Sequence, residues 1–229
     1  MTHLEVELPK LRNSIIEMMD LVKSQIDKGY KAVQTFDDEL AYEMIANEKR
    51  VNALELKIDR DCENVLALYN PVAIDLRFVM ASYNINSTLE RVGDNAESIA
   101  RYILHFDSPL SEEMKQRLNF DKMFLTAVGM FDDAIEAYKE EDTKMARKIF
   151  KRDLIINDIY LKSAPIIEEL IKENPDKIRQ LLYVFSVIKK LERIGDLAKN
   201  IAEELIFYID AKVLKHKKKD KEDKIKKPQ

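Results

Sequence analysis

A glutamate and an aspartate four residues apart occur twice in this chain, as Glu90/Asp94 and Glu192/Asp196. They sit inside a stretch that is itself repeated: Leu89-Glu-Arg-Val-Gly-Asp-Asn-Ala-Glu-Ser-Ile-Ala100 returns 102 positions later as Leu191-Glu-Arg-Ile-Gly-Asp-Leu-Ala-Lys-Asn-Ile-Ala202, with eight of twelve residues identical. On a helix, carboxylates at i and i+4 project from consecutive turns and can share a divalent cation if a neighbouring helix adds further oxygens. The spacing of Leu89, Val92, Ala96 and Ile99 assigns those residues to the buried face. At 100° per residue, Glu90 and Asp94 point about 140° and 180° away from that face, so core packing does not ask for acids there. Any one of these acids is explained by solubility. Their retention at matching places, while Asn95/Leu197 and Glu97/Lys199 diverge, sets a shared metal or partner role level with that reading. Gly93 and Gly195 point the same way, because a glycine inside a helix costs up to about 1 kcal/mol against alanine and marks a close approach.

The elements that must position these acids are themselves duplicated. At an offset of 105, Asp37 falls on Asp142, Ala41 on Ala146, Glu48 on Asp153 and Asn52 on Asn157; the offset becomes 102 by Arg77 and Arg179. The chain is two copies of a unit of roughly a hundred residues. In the first copy, apolar residues step by threes and fours along Leu8 to Val33, Leu40 to Val65 and Ile74 to Ile103. That periodicity predicts three amphipathic helices of about 30 residues, each roughly 45 Å long. The breaks at Thr35 to Asp37, Tyr69 to Pro71, Asp107 to Pro109, Glu141 to Thr143 and Glu173 to Pro175 are short, which makes successive helices antiparallel neighbours. Asn70-Pro71 and Asn174-Pro175 each offer a capping side chain and a proline for a first helical turn. Pro165 is expected to kink or interrupt the fifth helix. The fold class is therefore all-α: two tandem three-helix bundles, the first over residues 1–107 and the second over 108–211. On the second helix, Glu48, Asn52, Glu55 and Asp59 run along one flank, and Asp153 and Asn157 repeat the beginning of that flank.

Composition agrees. With 46% apolar and 35% charged residues over 229 positions, four glycines and no tryptophan, the chain can bury a large core and has little material for strands and turns. The N-terminal stretch has neither a basic segment nor an apolar signal core, and no apolar run nears the roughly 20 residues of a membrane span, which predicts a cytoplasmic protein. Cys62 lies on an apolar stripe and reads as a packed thiol. From Lys212 to Gln229, nine lysines face three acids, so an acidic body of net charge −10 carries a basic tail. That tail, residues 212–229, reads as solvated and disordered, with contact to an anionic membrane surface or an acidic partner as its other use.

The Leu-Glu-Arg-Val/Ile-Gly-Asp motif in both copies, together with Pro71-Val-Ala-Ile-Asp-Leu-Arg77 in the first, resembles the PhoU family of bacterial phosphate-transport regulators over essentially residues 4–210. The resemblance implies paired three-helix bundles, a cytoplasmic homodimer, and transition-metal ions or clusters, with iron, zinc and manganese as candidates. It also implies negative regulation of phosphate uptake and of the phosphate-starvation response, through the ATPase subunit of the phosphate ABC transporter and a phosphate-sensing histidine kinase. Carried over by position, the metal-ligating acids are Glu90, Asp94, Glu192 and Asp196, with Glu48 and Asp153 opening the motif on the second helix. Asn52 and Asn157 stand where that pattern can carry a second carboxylate, and Asn95 and Leu197 where the family often has histidine.

Other classes fit less well. A ferritin-like di-iron enzyme needs Glu-xxx-His pairs, and His3, His105 and His216 are not so spaced. The acidic body disfavours nucleic acid as a partner. The sequence offers no nucleophile with its base and no phosphate-cradling loop, so no catalytic activity is expected. The alternative is a metal-free helical scaffold, and membrane association would come only through partners or the basic tail.

Overall fold

A computed structural model describes residues 3–214, which are helical with no strand among them. The first copy comprises α1 (His3–Thr35), α2 (Asp38–Tyr69) and α3 (Ala73–Ile103); the second comprises a short α4 (Glu112–Arg117), α5 (Phe120–Glu140), α6 (Thr143–Glu173), a 3-10 turn (Pro175–Lys177) and α7 (Ile178–Asp210). These are the two tandem three-helix bundles that the periodicity predicts. The basic tail lies, beyond Leu214, outside the described residues.

The duplication is visible in the caps. Asp37 accepts from the backbone N–H of Glu39 at 2.9 Å and of Leu40 at 3.4 Å. Its counterpart Asp142 does the same for Lys144 at 2.7 Å and Met145 at 3.2 Å. Each satisfies donors that a helix start leaves without intrahelical partners.

Three local expectations are corrected in whole or in part. Asn70 does not cap the start of α3; it ends α2 in the left-handed conformation, φ 45°, which asparagine tolerates better than most residues. Asn174 likewise ends α6, its side-chain amide donating to the Leu170 carbonyl at 3.1 Å, and Pro175 opens the 3-10 turn. Pro165 does not interrupt α6. The carbonyl it deprives of a donor is that of Leu161, a residue 74% exposed. The counterpart of α1 is divided between α4 and α5 by Leu118 and Asn119, the latter again left-handed at φ 48°.

One apolar core runs through both copies. The most extensive contact between helices joins α3 to α7, so the two motif helices lie side by side at the seam between the copies. Cys62 is buried, and burial pushes its thiol up to about 12, in keeping with a packing role.

Candidate metal and partner site

The α3–α7 packing sets the geometry of the repeated acids. An open groove of about 800 Å³ separates the exposed flanks of the two helices, with Arg91, Asp94 and Glu97 on one wall and Lys190, Glu192, Arg193 and Asp196 on the other. Asp94, Glu192 and Asp196 therefore open onto one groove. Asp94 is exposed, Glu90, Glu192 and Asp196 are half-buried, and the copies face each other across shared space. Lys190 of α7 feels Asp94 of α3; burial and the nearby Arg193 nonetheless hold its ammonium below the ordinary lysine range.

Beneath the first wall, α2 brings Glu48 against α3. Glu48 is 9% exposed, and both carboxylate oxygens are buried without a hydrogen-bond partner. Burial, followed by the charges of Asp94, Glu97, Glu90 and Glu55, pushes its carboxyl up to about 7. Glu90 and Glu55 are raised as well, chiefly by burial, with Asp94 adding to both. At Glu90 the charge of Arg91 opposes that rise without cancelling it. Asp59, further along the same flank, is spoken for by Asn86 of α3, whose amide donates to it at 2.9 Å. Asn52 is exposed.

The second copy resolves the same problem differently. Asp153, the counterpart of Glu48, is 1% exposed, and its Oδ2 accepts from the Lys199 ammonium at 3.0 Å and from the Asn157 amide at 3.3 Å. Lys199 also reaches Asp196 at 2.5 Å. Glu192, half-buried beside them, is raised by burial and then by Asp196. Sequence reasoning noted Lys199 only as a divergent neighbour; the signal was its replacement of Glu97 within an otherwise matching motif.

The motif glycines have a packing explanation. A Cβ on Gly195 would lie 2.9 Å from Ile156 Cδ1, so this glycine admits an apolar side chain of α6. A Cβ on Gly93 would lie 3.0 Å from Val51 Cγ1 and 3.4 Å from Glu48 Oε2, so here the space serves helix packing and the buried carboxylate together. At Gly195 the close approach is that of a neighbouring helix, so the expectation that this glycine marks a metal or partner is corrected. The two positions where a histidine is expected lie on the floor of the α3–α7 groove and are buried: Asn95 donates its amide to the Arg91 carbonyl at 2.6 Å, and Leu197 is apolar.

A hard divalent cation needs several converging oxygens. Among the described residues, no three His, Cys, Asp or Glu side chains converge closely enough to hold a metal as they stand. The first copy's donors fit such an ion in type, being all oxygen and including an orphaned carboxylate. The second copy's do not, because a lysine already occupies the space between Asp153 and Asp196.

Comparison with known proteins gives the PhoU domain twice, over residues 15–103 and 120–205. The chain is similar to the phosphate-specific transport system accessory protein PhoU homolog of Aquifex aeolicus, with 34% identity over 211 residues, 92% of this chain and 94% of the relative. It is similar to PhoU of Escherichia coli at 27% identity over 219 residues, covering 96% and 90% of the two chains. The crystal structure of PhoU from Pseudomonas aeruginosa superposes with a TM-score of 0.84 at 26% identity, covering 92% of this chain and 100% of that one. The phosphate transport system regulatory protein PhoU from Streptococcus pneumoniae superposes with a TM-score of 0.80 at 27% identity, covering 93% and 99%.

Proposed function

Because this chain belongs to the PhoU family, we propose that it is a negative regulator of phosphate uptake and of the phosphate-starvation response. The observation that carries this reading is the match of both copies to a family whose relatives are phosphate transport accessory proteins. It acts by contact, not by catalysis. Its partners are the ATPase subunit of the phosphate ABC transporter and a phosphate-sensing histidine kinase, met in the cytoplasm, and the working form is a homodimer. No described helix is long and apolar enough to cross a membrane, so membrane association goes through those partners or the basic tail. The charged α3–α7 groove suits recognition, because opposed charges fix which surfaces meet and in what register.

A divalent cation at the first copy belongs to the same reading. Glu48 would hold it from below, and Asp94 and Glu90 would turn inward to complete the set. The ion would neutralise carboxylates that now raise one another and would tie α2 to α3. The second reading is the metal-free scaffold: among the described residues, no three His, Cys, Asp or Glu side chains converge as they stand. Metal analysis of protein purified without chelator separates the two.

The regulatory reading is tested by deleting the gene. Phosphate-starvation genes should then stay expressed in abundant phosphate, with uptake unrestrained, and the intact gene should reverse both effects. The double variant Glu90→Lys/Glu192→Lys should accumulate normally yet fail to restore control. Normal phosphate control in the deletion strain overturns the reading.

A further inference from the structure

We propose that the Lys199 ammonium stands in for a cation in the second copy, so that this copy takes no metal and the chain's cation centre lies in the first copy alone. The first-copy half rests on the metal reading above; the second-copy half stands by itself. The duplication makes the comparison position by position: Glu48 corresponds to Asp153, Asp94 to Asp196, Glu90 to Glu192 and Glu97 to Lys199. The first set is four acids, and the second is three acids and a lysine.

The geometry follows that single exchange. Lys199 Nζ lies 3.0 Å from Asp153 Oδ2 and 2.5 Å from Asp196 Oδ1, joining the acid of α6 to the motif acid of α7 as a bound cation would. A carboxylate as buried as Asp153 is costly without a counter-charge, and removing one partner of such a pair strands the other. Lys199 supplies that charge, with Asn157 adding a donor to the same oxygen; only Oδ1 of Asp153 is left without a partner. A divalent ion there would have to displace an ammonium already bonded to both of its ligands. In the first copy, Glu97 cannot play this part. It pairs with Arg101 at 2.7 Å, and both oxygens of the buried Glu48 remain unpartnered. The same internal position is thus neutralised in one copy and open in the other.

The test is Mn2+ binding to the full chain, followed by the electron paramagnetic resonance signal of free Mn2+, with circular dichroism to verify folding. In the wild type, Asp153→Asn and Asp196→Asn should leave bound Mn2+ unchanged, and Glu48→Gln should remove it. Lys199→Glu should bind Mn2+ beyond the wild-type amount, and adding Asp153→Asn should abolish the gain. The reciprocal Glu97→Lys should abolish first-copy binding by placing an ammonium beside Glu48. If Lys199→Glu fails to fold in chelator, Lys199→Gln carries the same expectation of added Mn2+. Loss of wild-type Mn2+ in Asp153→Asn, or no gain in either folded Lys199 variant, overturns the proposal. If the wild type binds none while a Lys199 variant binds Mn2+, the second-copy assignment stands and the first-copy metal reading fails.

Discussion

Glu48 and Asp153 occupy matching places in the two copies, yet only Asp153 has a cation beside it. For Glu48 the consequence is a dependence of stability on pH whose sign is fixed. Its carboxyl is raised in the folded protein to about 7 from 4.5, so protonation favours the folded state. The contribution is fully present below about 4.5 and is lost as pH rises through about 7. In chelator, the wild type should therefore lose roughly 2–3 kcal/mol relative to Glu48→Gln between pH 5 and pH 8, an amount that follows from about 1.4 kcal/mol for each pH unit by which the carboxyl is raised. Denaturant melts of the two proteins at both pH values measure this. A constant difference between them would mean that Glu48 stays ionised throughout, its charge already balanced. Divalent cation should narrow the gap at pH 8 if it binds where proposed.

The helices carry their repeat in their ends as well as in their faces. Asp37 and Asp142 start α2 and α6 with the same pair of bonds, and each substitution to alanine should lower the melting temperature, Asp37→Ala by about 2–4 °C. The two caps share no partners and stand in different copies, so their effects should add. Asp142 has a further signature. Its carboxyl is held below the ordinary range by the backbone N–H groups of Met145 and Lys144, so its stabilisation is present above about pH 4 and is lost as pH falls through its folded value. The gap between wild type and Asp142→Ala should close in strong acid, and a gap that persists there would assign the loss to something other than the charged cap. Elements were less legible where polar residues could serve either neighbour. Asn70 reads from sequence as the start of α3, and its left-handed backbone makes it the end of α2.

At the scale of the molecule, side-chain contacts and a shared core join the two copies. Arg12 of α1 lies over the Phe78 ring of α3 and the Tyr138 ring of α5, at 5.3 and 5.6 Å from their centroids, and donates to the Tyr208 hydroxyl of α7 at 3.0 Å. Arg77 Nε donates to the Tyr208 carbonyl at 3.1 Å. With the core continuous through these contacts, unfolding should be a single transition, coincident by calorimetry and circular dichroism. Two separated transitions would show that the bundles are energetically independent. Arg12→Ala should cost about 1–2 kcal/mol and about 2–8 °C, because it removes stacking and a charge-assisted bond from both copies at once.

The sequence by itself determined the helices, their duplication and the identity of the acids, because each of these is local or periodic. A buried stripe repeats every three to four residues whatever it packs against, and Glu90/Asp94 and Glu192/Asp196 stand out because neither stripe needs them. It also held the exchange of Glu97 for Lys199, but not its meaning. Whether a lysine faces water, a partner or a buried aspartate depends on which helix lies opposite. Only the packing of α6 on α7 placed Lys199 between Asp153 and Asp196, and only that of α2 on α3 left Glu48 buried without a counter-charge. The groove shared by the copies was beyond reach for the same reason: residues 102 positions apart became neighbours through the packing of α3 on α7, a contact between separate repeats that no spacing along the chain encodes.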